Sequence, residues 1–375
     1  MNISRSFLRS AVVGLLLAGA SVASATAVQA DATDGIVVTS PTAAEPNAWR
    51  GIALGNGTFG AVAQNGTNRV MTSTDGTTWT AHPATEANSW TAVAYGNGLF
   101  AAVATNGTNR VMTSPDGATW TARSNINIGF DSITYGNGRF VALSSSDAST
   151  LISTDGINWT GPNALPSMDN WRGIAYGNGL FVAVADDGTS GISTSVDGVT
   201  WTNQVAPELN AWTSVTYGNG LFVAVSSNGT NQVMTSVDGS TWNTHAAASA
   251  SYWHSVAAGD GYFMAIAAMT GLMVSTDGSN WVTLAGAEAS SNWEAITYGA
   301  NKFVGVANVG NIVVVRAEIP ATTTTTTTAA PATSVVATNL PATGSNNSTL
   351  MAFAALMTIA GVALILRRRT SSDLV

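Results

Sequence analysis

Residues 212–243 read WTSVTYGNGLFVAVSSNGTNQVMTSVDGSTWN, and this stretch decides the fold. Apolar and polar residues alternate at period 2, the mark of short strands with one buried face. The alternation predicts strands at Trp212–Gly218, Leu221–Ser226 and residues 232–236, with a fourth beginning near Thr241-Trp242. Between them stand Asn219-Gly220, Asn228-Gly229 and Asp238-Gly239. Such dipeptides tolerate the positive φ angles of tight hairpins, so each has a mechanical reason for its place. A four-stranded meander of this size cannot bury both faces alone, so it needs neighbours.

The same unit recurs along the chain. First-strand starts fall at Trp49, Trp90, Phe130, Trp171, Trp212, Trp253 and Trp293, separated by 41, 40, 41, 41, 41 and 40 residues. The third turn recurs six times: STDGTTW (73–79), SPDGATW (114–120), STDGINW (153–159), SVDGVTW (195–201), SVDGSTW (236–242) and STDGSNW (275–281). Seven starts against six turns leave the last repeat, from Trp293, without a fourth strand. Residues 32–49 align without a gap to residues 73–90, with Asp34-Gly35 at the turn and Val38 where the Trp would stand. A strand from the N-terminal end therefore completes the seventh sheet. Closure of that kind removes exposed strand edges and predicts an all-β, seven-bladed β-propeller over residues 31–318.

All 12 tryptophans fall in two registers of the repeat, and Phe59, Phe100, Phe140, Phe181, Phe222, Phe263 and Phe303 share a third. A residue present in every repeat at one register builds the repeat, so these aromatics are expected to be core. Charged residues make up only 9% of the chain, against about a quarter in ordinary soluble domains. Basic residues are few and scattered, which excludes a nucleic-acid footprint. With no cysteine, the chain has no disulfide, no thiol nucleophile and no Cys-ligated metal site.

The six S-x-D-G turns also carry a resemblance. They resemble the Asp-box (BNR) repeat, S-x-D-x-G-x-T-W, although here Asp and Gly are adjacent and the loop is one residue shorter. That resemblance implies a propeller, with Asp75, Asp116, Asp155, Asp197, Asp238 and Asp277 as structural residues on the face away from any active site. A short carboxylate beside Gly can accept backbone N–H bonds within its own turn, which independently gives these residues a structural role.

Both ends read as processing segments. Residues 1–30 form a secretory signal: Arg5 and Arg9, the apolar run AVVGLLLAGA (11–20), then small-residue cleavage sites after Ala25, Ala27 or Ala30, of which Ala30 is preferred. The run is too short to span a bilayer. At the other end, Leu340-Pro341-Ala342-Thr343-Gly344 precedes a polar spacer, an apolar run over 350–366 and Arg367-Arg368-Arg369. This order resembles the LPXTG cell-wall sorting signal of Gram-positive bacteria. The resemblance implies a sortase cut between Thr343 and Gly344 and covalent attachment to peptidoglycan. The 350–366 segment would be a transmembrane helix with the arginines on its cytoplasmic side. Residues 319–339, with seven consecutive threonines, read as an extended stalk.

Catalytic chemistry is hard to assemble from this sequence. The sialidases, which carry Asp boxes, imply a three-arginine clamp, a Tyr/Glu pair and an acid Asp. Here residues 31–343 hold Arg50, Arg69, Arg110, Arg123, Arg139, Arg172 and Arg316, of which Arg50 and Arg172 share one register and Arg69 and Arg110 another. Tyr95, Tyr135, Tyr176, Tyr217 and Tyr298 all belong to repeated Tyr-Gly turns. Asp186-Asp187, and Asp169 with Glu208, are the only suggestive acid pairs for a glycosidase. His82, His245 and His254 show no metal-ligand spacing, and His254 reads as a tolerated variant after the repeat Trp. No catalytic residue, metal or cofactor is expected.

The loops between a fourth strand and the next first strand vary most. Several carry one acid at a similar offset: Glu45, Glu86, Asp169, Glu208 and Glu288. They are either a ligand-binding ring at the propeller mouth or solubilising acids inherited with each repeat. The sequons at Asn65, Asn106 and Asn228 read as turns. The sequence thus points to a wall-anchored, monomeric, non-catalytic surface protein that binds a glycan or protein ligand. The alternatives are an exported glycoside-acting enzyme and a structural coat component.

Overall fold

The computed structural model of the protein describes residues 33, 35–124, 127–187, 190–268, 271–286 and 291–317. The chain divides into two units, residues 1–321 and 322–375. The signal over 1–30, the stalk, the sorting motif, the 350–366 run and Glu288 lie outside the described residues.

The described residues hold 28 strands in seven four-stranded antiparallel sheets. Six sheets follow chain order. The seventh joins Trp293–Gly299, Lys302–Ala307 and Ile312–Ala317 to the N-terminal strand Ile36–Thr39, with Ile36 opposite Ala317 and Thr39 opposite Val314. This is the closure that the gapless complement predicts. First strands of successive blades touch one another around the ring, including those of blades 7 and 1. The predicted strands Trp212–Gly218 and Leu221–Ser226 are observed as read, while the fourth begins at Asn243, just beyond Trp242.

The first and third hairpins of a blade differ in mechanism. At the first, Asn219 and Gly220 both have positive φ (52° and 79°), the pair of left-handed residues that a primed turn requires. At Asp238-Gly239 only the glycine does, at 76°. There the Asp side chain, rather than a left-handed Asp backbone, shapes the loop.

Blades pack face to face through one apolar cluster per interface. Val182, Val184 and Ile192 of blade 4 meet Trp212, Phe222, Met234 and Trp242 of blade 5. The six first-strand tryptophans are essentially inaccessible, and in five of them the indole N–H donates to a carbonyl four residues back, as Trp212 does to Glu208 at 3.0 Å. At about 25 cal/mol per Å² and roughly 200 Å² per ring, each contributes on the order of 5 kcal/mol before entropy. The Tyr-Gly turns are explained by the same packing: the ring of Tyr217 lies where a side chain at Gly177 would stand, 2.0 Å from the site of its Cβ. Small in one blade and aromatic in the next, the pair sets the spacing between first strands.

Candidate functional site

The two faces of the ring are built differently. On the turn face, all six S-x-D-G loops share one hydrogen-bond pattern. Ser195 Oγ donates to Asp197 Oδ1 at 2.9 Å and accepts from Gly198 N–H at 2.8 Å. In every copy the Asp oxygen accepts two backbone N–H bonds of 2.7–2.9 Å, and the Trp indole N–H donates to the Gly carbonyl. Those N–H groups hold all six carboxyls below the usual carboxylate range. At Asp75, Asp116, Asp155, Asp197 and Asp238 the largest cause is the N–H three residues on. At Asp277 desolvation is the largest cause and acts upward, yet the Asn280 contacts and those after it outweigh it.

On the mouth face, the acids of the variable loops act within their blades. Glu45 Oε1 accepts from the Asn68 side chain at 2.5 Å, and its other oxygen from Asn47 at 3.1 Å and from Asn68 N–H at 3.3 Å. Glu208 repeats this with Asn231 and Asn210, and Glu86 with Asn109 and Thr108 N–H. Asp169 is buried and accepts from Ser190 and Gly191 N–H at 3.4 Å. Each acid ties the loop entering a blade to that blade's second hairpin. The sequon asparagines make a parallel tie: Asn65, Asn106 and Asn228 each accept, at 2.7 Å, the N–H of the residue before the repeat Trp. None of the four described acids lines the central cavity.

That cavity, of about 560 Å³, is lined by three rings of seven residues, one from each first strand. Deepest are Ile52, Val93, Ile133, Ile174, Val215, Val256 and Ile296, an apolar floor. Above them stand Gly51, Ala92, Ser132, Gly173, Ser214, Ser255 and Ala295, all small. Outermost are Arg50, Thr91, Asp131, Arg172, Thr213, His254 and Glu294. The first ring is β-branched aliphatic and the second small and uncharged in every blade, whereas the third changes charge around the ring.

A local device aims this third ring. In blades 1, 2, 4, 5, 6 and 7 the strand pairing skips one residue immediately after the Trp, as where Trp171 pairs with Ala185 but Gly173 with Val184. The skipped residue is the third-ring residue. A bulge of this kind re-aims a side chain out of the strand's alternation. Period-2 reading therefore misplaces it, and the only signal in the sequence is chemical: this register changes charge from blade to blade, while those around it stay uncharged.

The outer ring forms two charged groups. At the seam between the first and last blades, Arg50 Nη1 lies 2.7 Å from Glu294 Oε1, and His254 Nδ1 lies 3.3 Å from Glu294 Oε2. Asn308 also donates to Glu294 at 3.0 Å. Burial acts against the Glu294 charge, but the His254 hydrogen bond and the Arg50 guanidinium outweigh it and hold the carboxyl low. Across the ring, Arg172 Nε donates to Asp186 Oδ2 at 2.6 Å, and Nη1 lies 3.7 Å from Asp131. Thr91 and Thr213 each donate a hydroxyl to the next blade, to the Phe130 and Trp253 carbonyls at 2.7 Å. Of the register-related arginines, Arg50 and Arg172 both reach the cavity; Arg69 and Arg110 are held on hairpin carbonyls instead. Among the described residues, two guanidiniums, not three, line the cavity. Asp186 lines it and Asp187 caps Asn170 N–H at 2.6 Å, while none of the five Tyr-Gly tyrosines is among its lining residues. His82 and His245 sit on outer strands, each within 2.8 Å of a threonine hydroxyl.

Residues 324–373 match the LPXTG cell wall anchor motif family. No curated protein matches the chain in sequence. Among solved structures, the propeller is similar to virginiamycin B lyase from Staphylococcus aureus, with 12% identity, a TM-score of 0.67, and coverage of 75% of this chain and 99% of that one. It is also similar to YCF48 bound to D1 peptide, with 14% identity, a TM-score of 0.62, and coverage of 75% and 97%. YCF48 from Cyanidioschyzon merolae matches at 13% identity and a TM-score of 0.59, covering 74% and 98%. At these identities the likeness is one of fold. The chain therefore joins a seven-bladed β-propeller to an LPXTG anchor motif, which implies sortase processing and covalent attachment to the Gram-positive cell wall.

Proposed function

We propose that this protein is a non-catalytic binding module displayed on the cell wall, and that its ligand enters the propeller mouth. The observation that carries the reading is the third ring. Six of its seven residues stand on bulges that turn them into the cavity, and their chemistry runs Arg, Thr, Asp, Arg, Thr, His, Glu around near-identical blades. A register kept in every blade serves the fold, whereas one that differs in every quarter of a cavity suits an asymmetric ligand. The cavity's volume falls in the range of ligand sites, and its exposed lining is mainly polar, which suits a polar or charged ligand group.

Topology supports display. The third strand of blade 7, Ile312–Ala317, runs from the mouth hairpin to the turn face, so it ends on the face opposite the mouth. In this reading the six acid turns are Asp-box-like folding elements. The signal segment and the 350–366 helix serve export and sorting, sortase and peptidoglycan are the processing partners, and the propeller works as a single copy. The candidate ligand contacts shift from the Glu45, Glu86, Asp169 and Glu208 ties to the ring inside them.

One observation favours a second reading, an exported enzyme: His254 and Glu294 adjoin within the same cavity. The two separate on one experiment. The intact chain and its Arg172→Thr and Glu294→Gln variants are placed on glycan and matrix-protein arrays, and bound ligands are followed for turnover. Binding without turnover, lost in the variants, is expected. Turnover that ends with His254→Gln would replace the binding reading, and binding indifferent to both ring variants would remove the mouth from it.

A further inference from the structure

Three cavity-lining residues fall outside the sevenfold rings: Asp186, Ser227 and Tyr252. All three come from mouth-face segments of blades 4, 5 and 6, so on this arc the cavity lining extends from the rings to the rim. The same arc holds the rim's largest apolar outliers. Three residues before the repeat aromatic, blades 1, 2, 3 and 6 carry Pro46, Ala87, Asn127 and Ala250, but blades 4 and 5 carry Met168 and Leu209. These are 81% and 67% exposed, and Tyr252, in the loop entering blade 6, is 54% exposed. Solvent gives no reason for large apolar side chains at two neighbouring copies of one register. Met and Tyr are enriched where proteins meet, and central apolar anchors carry most of such binding.

The charge of this arc is one-sided. Where this arc meets the cavity, Asp131 and Asp186 share a single base, Arg172, with Asp187 and Glu208 in the loops around them and Asp169 buried beneath. Neutral sugar hydroxyls gain little from exposed aliphatic side chains beside such a field. A peptide that pairs a cation with apolar side chains matches both features.

Resting on the mouth as the binding site, we propose that the ligand is a protein segment bearing a basic side chain next to apolar ones. It lies over Met168, Leu209 and Tyr252, and its basic group enters the cavity beside Asp186. The acid outnumbering there favours a cation over an anion, and the rim supplies the apolar contact that a free amine or sugar would not use.

A random dodecapeptide library selected on the intact chain tests this. Enriched peptides should combine Lys or Arg with Leu, Met, Phe or Trp, and bind more weakly as salt rises. Affinity should fall about tenfold or more in Met168→Ser/Leu209→Ser and again in Asp186→Asn. The first two substitutions are at exposed positions and leave the core untouched. Peptides without a basic bias, or with equal affinity for the rim variant, would overturn the proposal. If such peptides are still lost in Arg172→Thr, the mouth remains the site and only the ligand class fails; if they bind that variant too, both fail. A neutral oligosaccharide that binds the rim variant and displaces the peptides also overturns the peptide class.

Discussion

The turn face and the mouth face are two ends of the same strands, and they teach opposite lessons about repetition. At the turn face six loops repeat one set of bonds, from the Ser hydroxyl to the Trp indole. At the mouth, the residue one place after the Trp is different in chemistry nearly everywhere. Both ends are well ordered by hydrogen bonds, so order does not separate structure from function here. What separates them is whether the partners of a side chain repeat with it. Asp197 repeats with its turn and Glu208 repeats with Asn231, whereas Glu294 meets Arg50 and His254 only once.

Substitutions at each face should have effects of different size. The largest effect belongs to the core that both faces share: Trp212→Ala removes a fully buried ring, and urea unfolding should show a loss of about 3–5 kcal/mol. Next is the turn face. Asp197→Ala strands two backbone N–H groups and should cost about 1–2 kcal/mol in the same assay, with ligand binding unchanged. A change in binding there would undo the division of labour between the faces.

Acid should act through the same turns. Each turn carboxyl titrates lower in the folded chain than in the unfolded one, so it contributes stability above the unfolded carboxylate range and loses it as pH falls through that range towards the folded value. The urea midpoint should therefore drop below about pH 4, and Asp→Asn at several turns should flatten that drop. An equally steep drop in the Asn variants would place the acid sensitivity elsewhere. The smallest effect on stability is expected at the mouth: Arg172→Thr should stay within about 0.5 kcal/mol, since Thr91 and Thr213 already serve two blades there.

Much of this fold is legible in the sequence because period and turn chemistry agree. The 41- and 40-residue spacings count the blades, and the match of residues 32–49 to 73–90 shows where the ring closes. The mouth was harder to read for a physical reason. A bulge inserts one residue into the alternation, so His254 and Arg172 fall out of phase with the strands that carry them. Their signal is variation between blades, visible only after the repeats are aligned. The loop acids carried the opposite signal. Glu45, Glu86 and Glu208 recur together with Asn68, Asn109 and Asn231 at a fixed distance, and a pair that recurs as a pair reads as part of the blade.

The most direct measurement makes the ring symmetric. Arg50, Asp131, Arg172, His254 and Glu294 are all changed to Thr, the residue already present in blades 2 and 5. The Arg50–His254–Glu294 cluster is removed whole, and Asp186, which loses Arg172, keeps its hydrogen bond from Asn170 at 2.6 Å. The intact chain and this variant are then compared on glycan and protein arrays, with unfolding measured in parallel. The expected result is a folded propeller of nearly unchanged stability that no longer binds the ligand of the parent chain. A symmetric ring that still binds that ligand, or a parent chain that binds nothing, would contradict the assignment of the mouth as a binding site.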